Sequence, residues 1–412
     1  MSGCAAQRRR EREPVVITGM AAVSPLGCDP DGILDSLFAG VSGVRQVDVD
    51  KRVQTLAPFA APVTVIAAPT GVTAGEFAAL NRLEQMCLTP LVGALADSGI
   101  DQSLGGPRIG LVLGLGAEQL KAWELDFLAG GRTVFEARRT PTLVHRLAAR
   151  AGITGPALTV AAACASSGYA LALARSWIDS GWVDACVAGG CDVLSPTSIA
   201  AFYNLRALSR RADDPAKASR PFDRARDGFV MGEGGGFFVL ERRTEAAARG
   251  ARPQGELAGV GMSSDGVHMV TPSSDPTQAA RAITAALADA GVSPAEVDYF
   301  NAHAAGTPVG DVAEAAAIRL ACGVATDNIP VSSTKSMTGH LVSGAAAFEA
   351  LACLGAIERQ AVPPTVNLDE PDPVCPLLHV PHVARPHPVA VAASNSFGFG
   401  GSNLCLVFRR AA

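Results

Sequence analysis

The sequence predicts an α/β protein built on buried, mostly parallel strands. Three observations carry this. Short apolar runs alternate with segments of helical period along the whole chain. Most of these segments stop at a glycine. Alanine and glycine are abundant while aromatics make up only 5% of the residues, which favours close backbone packing over bulky side-chain layers.

The elements follow in order. Pro14 to Met20 reads as a first strand and Gly32 to Ala39 as a short helix. Glu76 to Ser98 has helical period and ends at Gly99. Arg108 to Leu113 is an apolar strand closed by Gly114 and Gly116. Thr142 to Ala151 reads as a helix. Ala157 to Ala163 is a buried-type strand running directly into Cys164, and Ser167 to Ser180 is the helix that follows. Val183 to Gly189 is a strand, and Glu241 to Arg249 a charged helix.

After the connector Gly250 to Pro253 the alternation restarts. Strands are expected at Gly255 to Met262, Val297 to Asn301, Val331 to Ser333, Val389 to Ala393 and Leu404 to Phe408. Helices are expected at Thr277 to Ala290, Val312 to Ala321 and Gly344 to Arg359. A weak internal repeat is visible. Cys164 stands four residues before Gly168 and an Ala-rich helix, and His340 stands four residues before Gly344 and another. A duplicated fold would place Cys164 and His340 at equivalent helix starts. The expected organisation is a tail over residues 1–13, one half over 14–252 and a second over 253–412.

Composition excludes several classes. The 412-residue chain is 48% hydrophobic and 18% charged with a net charge of −5, too apolar for disorder and too acidic for a broad nucleic-acid surface. No apolar run reaches the roughly 18 residues of a membrane helix. Arg8, Arg9, Arg10 and Arg12 before Val15 read as a solvated tail rather than a leader, because Glu11 and Glu13 interrupt them. The ten cysteines show no CxxC or metal-type cluster, so reduced thiols and a cytoplasmic setting are expected, with no metal. Lysine is confined to Lys51, Lys121, Lys217 and Lys335.

Three residues stand where chemistry is done. Cys164 lies at a strand-to-helix turn, where free N–H groups and the helix dipole favour a thiolate and can hold an oxyanion. The other nine cysteines read as small buried hydrophobes. His303 opens a loop after a strand, and His340 closes the loop Ser332 to His340. Both lie at carboxyl ends of expected strands, where open α/β sheets gather their sites. His145, His268, His379, His382 and His387 lack such settings, and the last three read as surface or loop residues. Met231 to Gly236 leads into a strand and supports no nucleotide loop. Ser396-Phe397-Gly398-Phe399-Gly400-Gly401-Ser402-Asn403 is a loop whose glycines let backbone approach a ligand closely.

Together these motifs resemble the β-ketoacyl synthases, condensing enzymes of the thiolase superfamily, most closely the elongating synthases of dissociated bacterial fatty acid and polyketide systems. The likeness runs from Val15 to Phe408 and is strongest at Ser219 to Asp223, Gly228 to Gly234, Met262 to Asp265, Val331 to His340, Pro363 to Leu368 and Ser394 to Asn403. It implies a five-layered αβαβα fold of two related halves, usually dimeric. By the resemblance, Cys164 matches the acyl-accepting nucleophile, and His303 and His340 match the pair that handles malonyl decarboxylation. Lys335 matches the lysine that supports the first histidine. Phe399 matches the gating aromatic, whose N–H joins that of Cys164 in the oxyanion hole, flanked by Gly398 and Gly400. Thr307 matches a phosphopantetheine contact, and Asp311, Glu314 and Glu349 match supporting acidic residues.

The resemblance further implies an acyl carrier protein as partner, phosphopantetheine arriving on that carrier with no cofactor on the enzyme, and either a homodimer or a heterodimer with a chain-length-factor subunit. His340 separates the chain from priming synthases, which carry Asn there, and Cys164 separates it from chain-length factors. Ala304 and Ala305 depart from the usual Gly and Thr, and Ala117 to Val144 is short for the family. These departures point to a specialised polyketide or unusual fatty acyl pathway. Two alternatives stay open: a non-catalytic synthase-like subunit, and a synthase-fold acyltransferase that does not decarboxylate.

Overall fold

A computed structural model describes residues 13–47, 55–102, 106–116, 120, 123–124, 126–127, 129–131 and 142–411. Most of the expected tail and of Ala117 to Val144 lies outside the described residues. Eleven strands form one ladder: β1 (Val15–Val23), β2 (Ile109–Gly114), β3 (Ala157–Val160), β4 (Ala185–Asp192), β5 (Gly234–Arg242), β6 (Gly255–Ser264), β7 (Tyr299–Asn301), β8 (Pro330–Ser332), β9 (Leu378–His379), β10 (Val391–Gly398) and β11 (Ser402–Arg409). The helices are α1 (Pro30–Phe38), α2 (Ala74–Ala78), α3 (Arg82–Ser98), α4 (Leu143–Arg150), α5 (Ser166–Asp179), α6 (Pro196–Asn204), α7 (Arg243–Ala248), α8 (Thr277–Ala290), α9 (Gly310–Cys322), α10 (Lys335–Thr338) and α11 (Ala345–Arg359).

The strand order is β9-β8-β7-β10-β11-β6-β1-β5-β4-β2-β3. Read outward from the centre, β1-β5-β4-β2-β3 and β6-β11-β10-β7-β8 are the same arrangement. The pairing senses agree as well. β2 is parallel to β3 and β4, as β7 is to β8 and β10. β5 is antiparallel to β4 and β1, as β11 is to β10 and β6. The chain is therefore two related halves, joined where Val16 faces Glu256 and Ile17 faces Gly255.

Period-2 burial turns each sheet into a partition. In β5, Phe238 and Leu240 face a core shared with α5 and α11, while Phe237 and Val239 face one shared with α3 and α4. In β11, Leu404, Leu406 and Phe408 face the first of these cores, and Cys405 and Val407 face a third, shared with α8 and α9. The layers are thus α3/α4, sheet, α5/α11, sheet, α8/α9, the expected five-layered αβαβα fold.

Local chemistry explains where the elements differ from expectation. The helix expected over Glu76 to Ser98 is two helices, because Asn81 caps α3 in a box with Glu84, just as Thr73 caps α2 with Glu76. Glu241 belongs to β5 rather than to the following helix, and buried there it pairs with Arg249. Helix α6 was not expected. Its only buried residue is Ile199, so it shows little apolar stripe, although Ser195 caps it and Pro196 begins it.

The repeat is real but its register is not the expected one. Cys164 sits in a 3-10 turn, Ala163–Ala165, that leads into α5, and the matching 3-10 turn before α11 is Val342–Gly344. Ala163 and Val342 carry the same uncommon φ, 49° and 48°. The counterpart of Cys164 is therefore Ser343, not His340. The sequence spacing to the nearest glycine misleads because α5 begins two residues after Cys164, whereas α11 begins five after His340.

Helix α8 lies so close to β6 that a Cβ on Gly261 would stand 2.0 Å from the carbonyl oxygen of Ala282 and 2.4 Å from the amide nitrogen of Ala286. Both are helix backbone and cannot swing away. Gly261→Ala is expected to destabilise the fold by about 1–3 kcal/mol, read as a lower denaturant midpoint; an unchanged midpoint would show that α8 does not seat on β6 this closely.

Candidate active site

A cavity of about 110 Å³ brings Cys164, His303 and His340 together with Phe202, Phe229 and Phe399. Cys164 comes from the turn before α5, His303 from the end of β7, and His340 from the segment after α10. Phe399 comes from the hairpin between β10 and β11. The site thus draws on both halves, at strand ends where the central helices begin. The cavity then runs out past Ala304, Ala305 and Thr307 to a wall made by Val270 to Ser273.

The two imidazoles stand edge to face, ring centres 5.4 Å apart, and His340 packs on Phe229 at 5.3 Å. Each has its Nδ1 buried without a partner. A buried N–H without an acceptor is rarer and costlier than a buried lone pair, so the proton belongs on Nε2 of both rings. Burial, and then the charge of Lys335, hold both well below the usual histidine range, so both are neutral; His340 further lowers His303.

Lys335 and Glu349 form an ion pair with both side chains only 2% exposed. Ser396 donates to the other Glu349 oxygen at 3.4 Å. Burial raises Glu349 above the ordinary carboxylate range, and Lys335 opposes the rise. Neither residue lines the cavity; both stand behind it.

Two further buried carboxylates shape the His303 loop. Glu314 accepts from the N–H groups of His303 at 2.8 Å and Ala304 at 2.6 Å, and from Asn395 Nδ2 at 3.0 Å. Asp311 accepts from Gly306, Thr307 and Phe222 at 3.1, 3.2 and 2.8 Å. Arg226 donates to the carbonyl oxygens of Thr307 and Pro308, at 3.2 and 3.0 Å, and clamps the same loop from outside. The Thr307 hydroxyl accepts from the Gly310 N–H at 3.1 Å.

Cys164 departs from its expected electrostatics. Burial pushes its thiol up to about 12, Lys335 pulls it down, Asp192 and Glu349 push it up, and the Phe399 N–H donated to the sulfur pulls it down. The helix-start argument for a thiolate is outweighed because only 6% of the residue is exposed to water.

Of the expected loop residues, Gly398 and Phe399 line the cavity, and Gly401 lines it beside them, next to Gly400. Phe202 and Phe229 had not been singled out. Their rings meet at 5.1 Å, and Phe202 meets Phe399 at 5.8 Å. Phe229 lies inside the glycine motif Gly228 to Gly234, which was a usable signal; Phe202 lies on the unexpected α6. Asp265, which ends another quoted motif, accepts from Asn403 Nδ2 at 2.7 Å. His379 is not a surface residue: it packs on Phe222 at 5.0 Å and its Nε2 meets the Cys375 carbonyl at 2.9 Å. Among the described residues no His/Cys/Asp/Glu group could hold a metal ion, and no helix is long and apolar enough to cross a membrane.

A five-layered duplicated fold with a cysteine at a central helix start and two neutral histidines beside it defines a condensing acyltransferase of the thiolase type. Family models described as the N-terminal and C-terminal domains of beta-ketoacyl synthase match residues 12–246 and 254–369. The chain belongs to the β-ketoacyl synthase family, and within it to the elongating ketosynthases. It is 38% identical to a 3-oxoacyl-(acyl-carrier-protein) synthase 2 of Synechocystis sp., over 97% of this chain and 99% of that protein. Among solved structures, the ishigamide ketosynthase/chain length factor superposes with a TM-score of 0.88 at 32% identity, covering 97% of this chain and 100% of the other. The ketosynthase AntDE, solved with its type II polyketide acyl-carrier protein AntF and bound to the hexaketide, gives 0.86 at 29%, covering 97% and 100%.

Burial raises Asp311 to about 6 and Glu314 to about 7. The folded chain therefore holds protons that the unfolded chain has released above its ordinary 3.8 and 4.5. Their contribution to stability is complete below those values and is lost as pH rises through the folded ones. Asp311→Asn is expected to flatten the fall in unfolding midpoint between about pH 4 and pH 6. A slope equal to that of the wild type would show that Asp311 titrates normally.

Proposed function

We propose that this chain condenses an acyl thioester, carried on Cys164, with malonyl-acyl carrier protein, releasing CO2 and lengthening the chain by two carbons. The observation that carries it is the convergence of Cys164, His303 and His340 on one cavity.

The steps balance as follows. The Cys164 sulfur attacks the acyl carbonyl, and its proton leaves on the departing pantetheine thiol. The tetrahedral oxyanion lies between the N–H groups of Cys164 and Phe399. Losing one such donor typically costs about 3 kcal/mol. Malonyl thioester then loses CO2, and the enolate oxygen accepts hydrogen bonds from the Nε2–H groups of His303 and His340. The enolate carbon attacks the acyl carbonyl on Cys164, the C–S bond breaks, and the sulfur takes up a proton. Burial, reinforced by Lys335, keeps both imidazoles neutral, and Glu349 pairs with Lys335. Asp311 and Glu314 hold the loop from His303 to Thr307, along which the pantetheine arm arrives on its carrier protein. The enzyme needs no cofactor of its own for this chemistry.

A specialised type II polyketide pathway is favoured over housekeeping synthesis. Ala304 and Ala305 leave the inner channel apolar, and the similar solved structures include polyketide ketosynthases. The subunit pairs either with its own copy or with a chain-length-factor subunit. In support, among the described residues β3 ends the sheet with one edge unpaired, and Leu158 on it is 45% exposed. The nine described cysteines are all free, which suits the reducing cytoplasm.

Intact mass after incubation with acyl-carrier protein tests the nucleophile: the wild type should gain one acyl group and Cys164→Ala none. An adduct on the variant would remove Cys164 from the role. His303→Ala and His340→Ala should still acylate but release CO2 from malonyl-carrier protein about 100-fold or more slowly. Normal CO2 release by both would remove the histidines from decarboxylation, and no CO2 release by the wild type would leave an acyltransferase that does not decarboxylate.

A further inference from the structure

The turn that carries the nucleophile is not relaxed. Ala163 holds a φ of 49° without being glycine, so its surroundings must hold it there. Two backbones press on it. A Cβ on Gly398 would stand 2.7 Å from the Ala162 oxygen and 3.5 Å from the Cys164 nitrogen. On the other side, a Cβ on Gly116 would stand 3.2 Å from Ala163 Cα and 3.3 Å from the Ala163 oxygen. The segment after β2 therefore buttresses the turn directly.

That buttress is tied to the other half of the molecule by one side chain. The Gly116 N–H donates to Ser343 Oγ at 2.9 Å, and the Ser343 N–H donates to Asp192 Oδ2 at 3.2 Å. Ser343 is 1% exposed. The next residue, Gly344, is jammed against β5 and β4, since a Cβ there would stand 2.2 Å from the Gly234 oxygen and 3.1 Å from Cys191 Cα. Ser343 is thus a fixed post. It is also the internal-repeat counterpart of Cys164: the position that bears the nucleophile in one half bears, in the other, a hydroxyl aimed at the nucleophile's support.

Taking Cys164 as the acyl acceptor, we propose that Ser343 is a positioning residue for it, holding Gly116 against the strained Ala163 turn so that the sulfur and the Cys164 N–H keep their attack geometry. Ser343 does not touch substrate. It acts on the acylation half-reaction and leaves malonyl decarboxylation to the histidines.

The test compares wild type, Ser343→Ala and Ser343→Thr in three measurements: acylation from an acyl-carrier protein by rapid-quench intact mass, CO2 release from malonyl-carrier protein, and unfolding midpoint. Ser343→Ala should acylate Cys164 about tenfold more slowly at saturating donor, with the half-saturating donor concentration and CO2 release unchanged. Ser343→Thr, which keeps the hydroxyl, should recover most of the rate. Wild-type acylation speed in Ser343→Ala overturns the proposal. So does an equal loss in both half-reactions, which marks a general structural role, and so does a threonine variant no faster than alanine. Should Ser343→Ala not fold, Ser343→Gly is read by the same criteria. A wild type that never acquires an acyl group on Cys164 instead refutes the functional reading itself.

Discussion

The ion pair between Lys335 and Glu349 is the constraint on which the site depends. Removing either charge would leave the other buried and uncompensated, a penalty of about 3–5 kcal/mol. The two residues come from α10 and α11, so the pair fixes the segment between them, and that segment carries His340. The pair also sets the charge state of the chamber. Burial first, and then Lys335, hold His303 and His340 below their usual range, and Lys335 draws the Cys164 thiol down against its burial. Burial reinforced by one buried cation thus keeps two imidazoles in the neutral form that can donate to a developing enolate without protonating it fully.

The halves share a topology yet divide the labour. Equivalent 3-10 turns with equivalent positive φ angles lead into α5 and α11. One turn presents a thiol to the cavity; the other turns its hydroxyl to backbone. The halves also lend each other hydrogen bonds: Ser167 at the start of α5 accepts from Ala347 N–H at 3.0 Å, and Ser343 before α11 accepts from Gly116. The first turn of α11 and the backbone of Gly116 beside the Cys164 turn are each satisfied by a serine of the opposite half. A single site between two related halves is what such exchange produces, because groups aimed across the junction converge there and nowhere else.

The sequence revealed the alternation of strands and helices, the layered class and the two segments that meet at the site, because these rest on short-range periodicity and on motifs at strand ends. Cys164, His303 and His340 stood out in this way, while Lys335 and the role of Phe399 came from the family resemblance. What stayed hidden depends on distance through space. The register of the repeat could not be read from spacing, since α10 is an insertion before α11 with no partner before α5. Phe202 could not be read because α6 buries little and so shows no stripe. Thiolate character at Cys164 was misjudged because a helix start is visible in a sequence while the depth of burial is not.

The high thiol pKa bears on how acylation must proceed. At about 12, almost none of the Cys164 sulfur is ionised at neutral pH. Chemistry that required a standing thiolate would be slow. The site instead supplies groups that favour negative charge only once it forms: the Phe399 N–H, the Cys164 N–H at the helix start, and Lys335 behind. Burial opposes charge in the resting state, and fixed dipoles stabilise it in the transition state, with no water to reorganise. A resting thiol is also a weak target for oxidants and stray electrophiles. The same desolvation that makes Cys164 a poor free nucleophile therefore confines its reactivity to a thioester delivered along the channel, and it makes the geometry of the Ala163 turn decisive, since the attack depends on dipoles that act over hydrogen-bond distances.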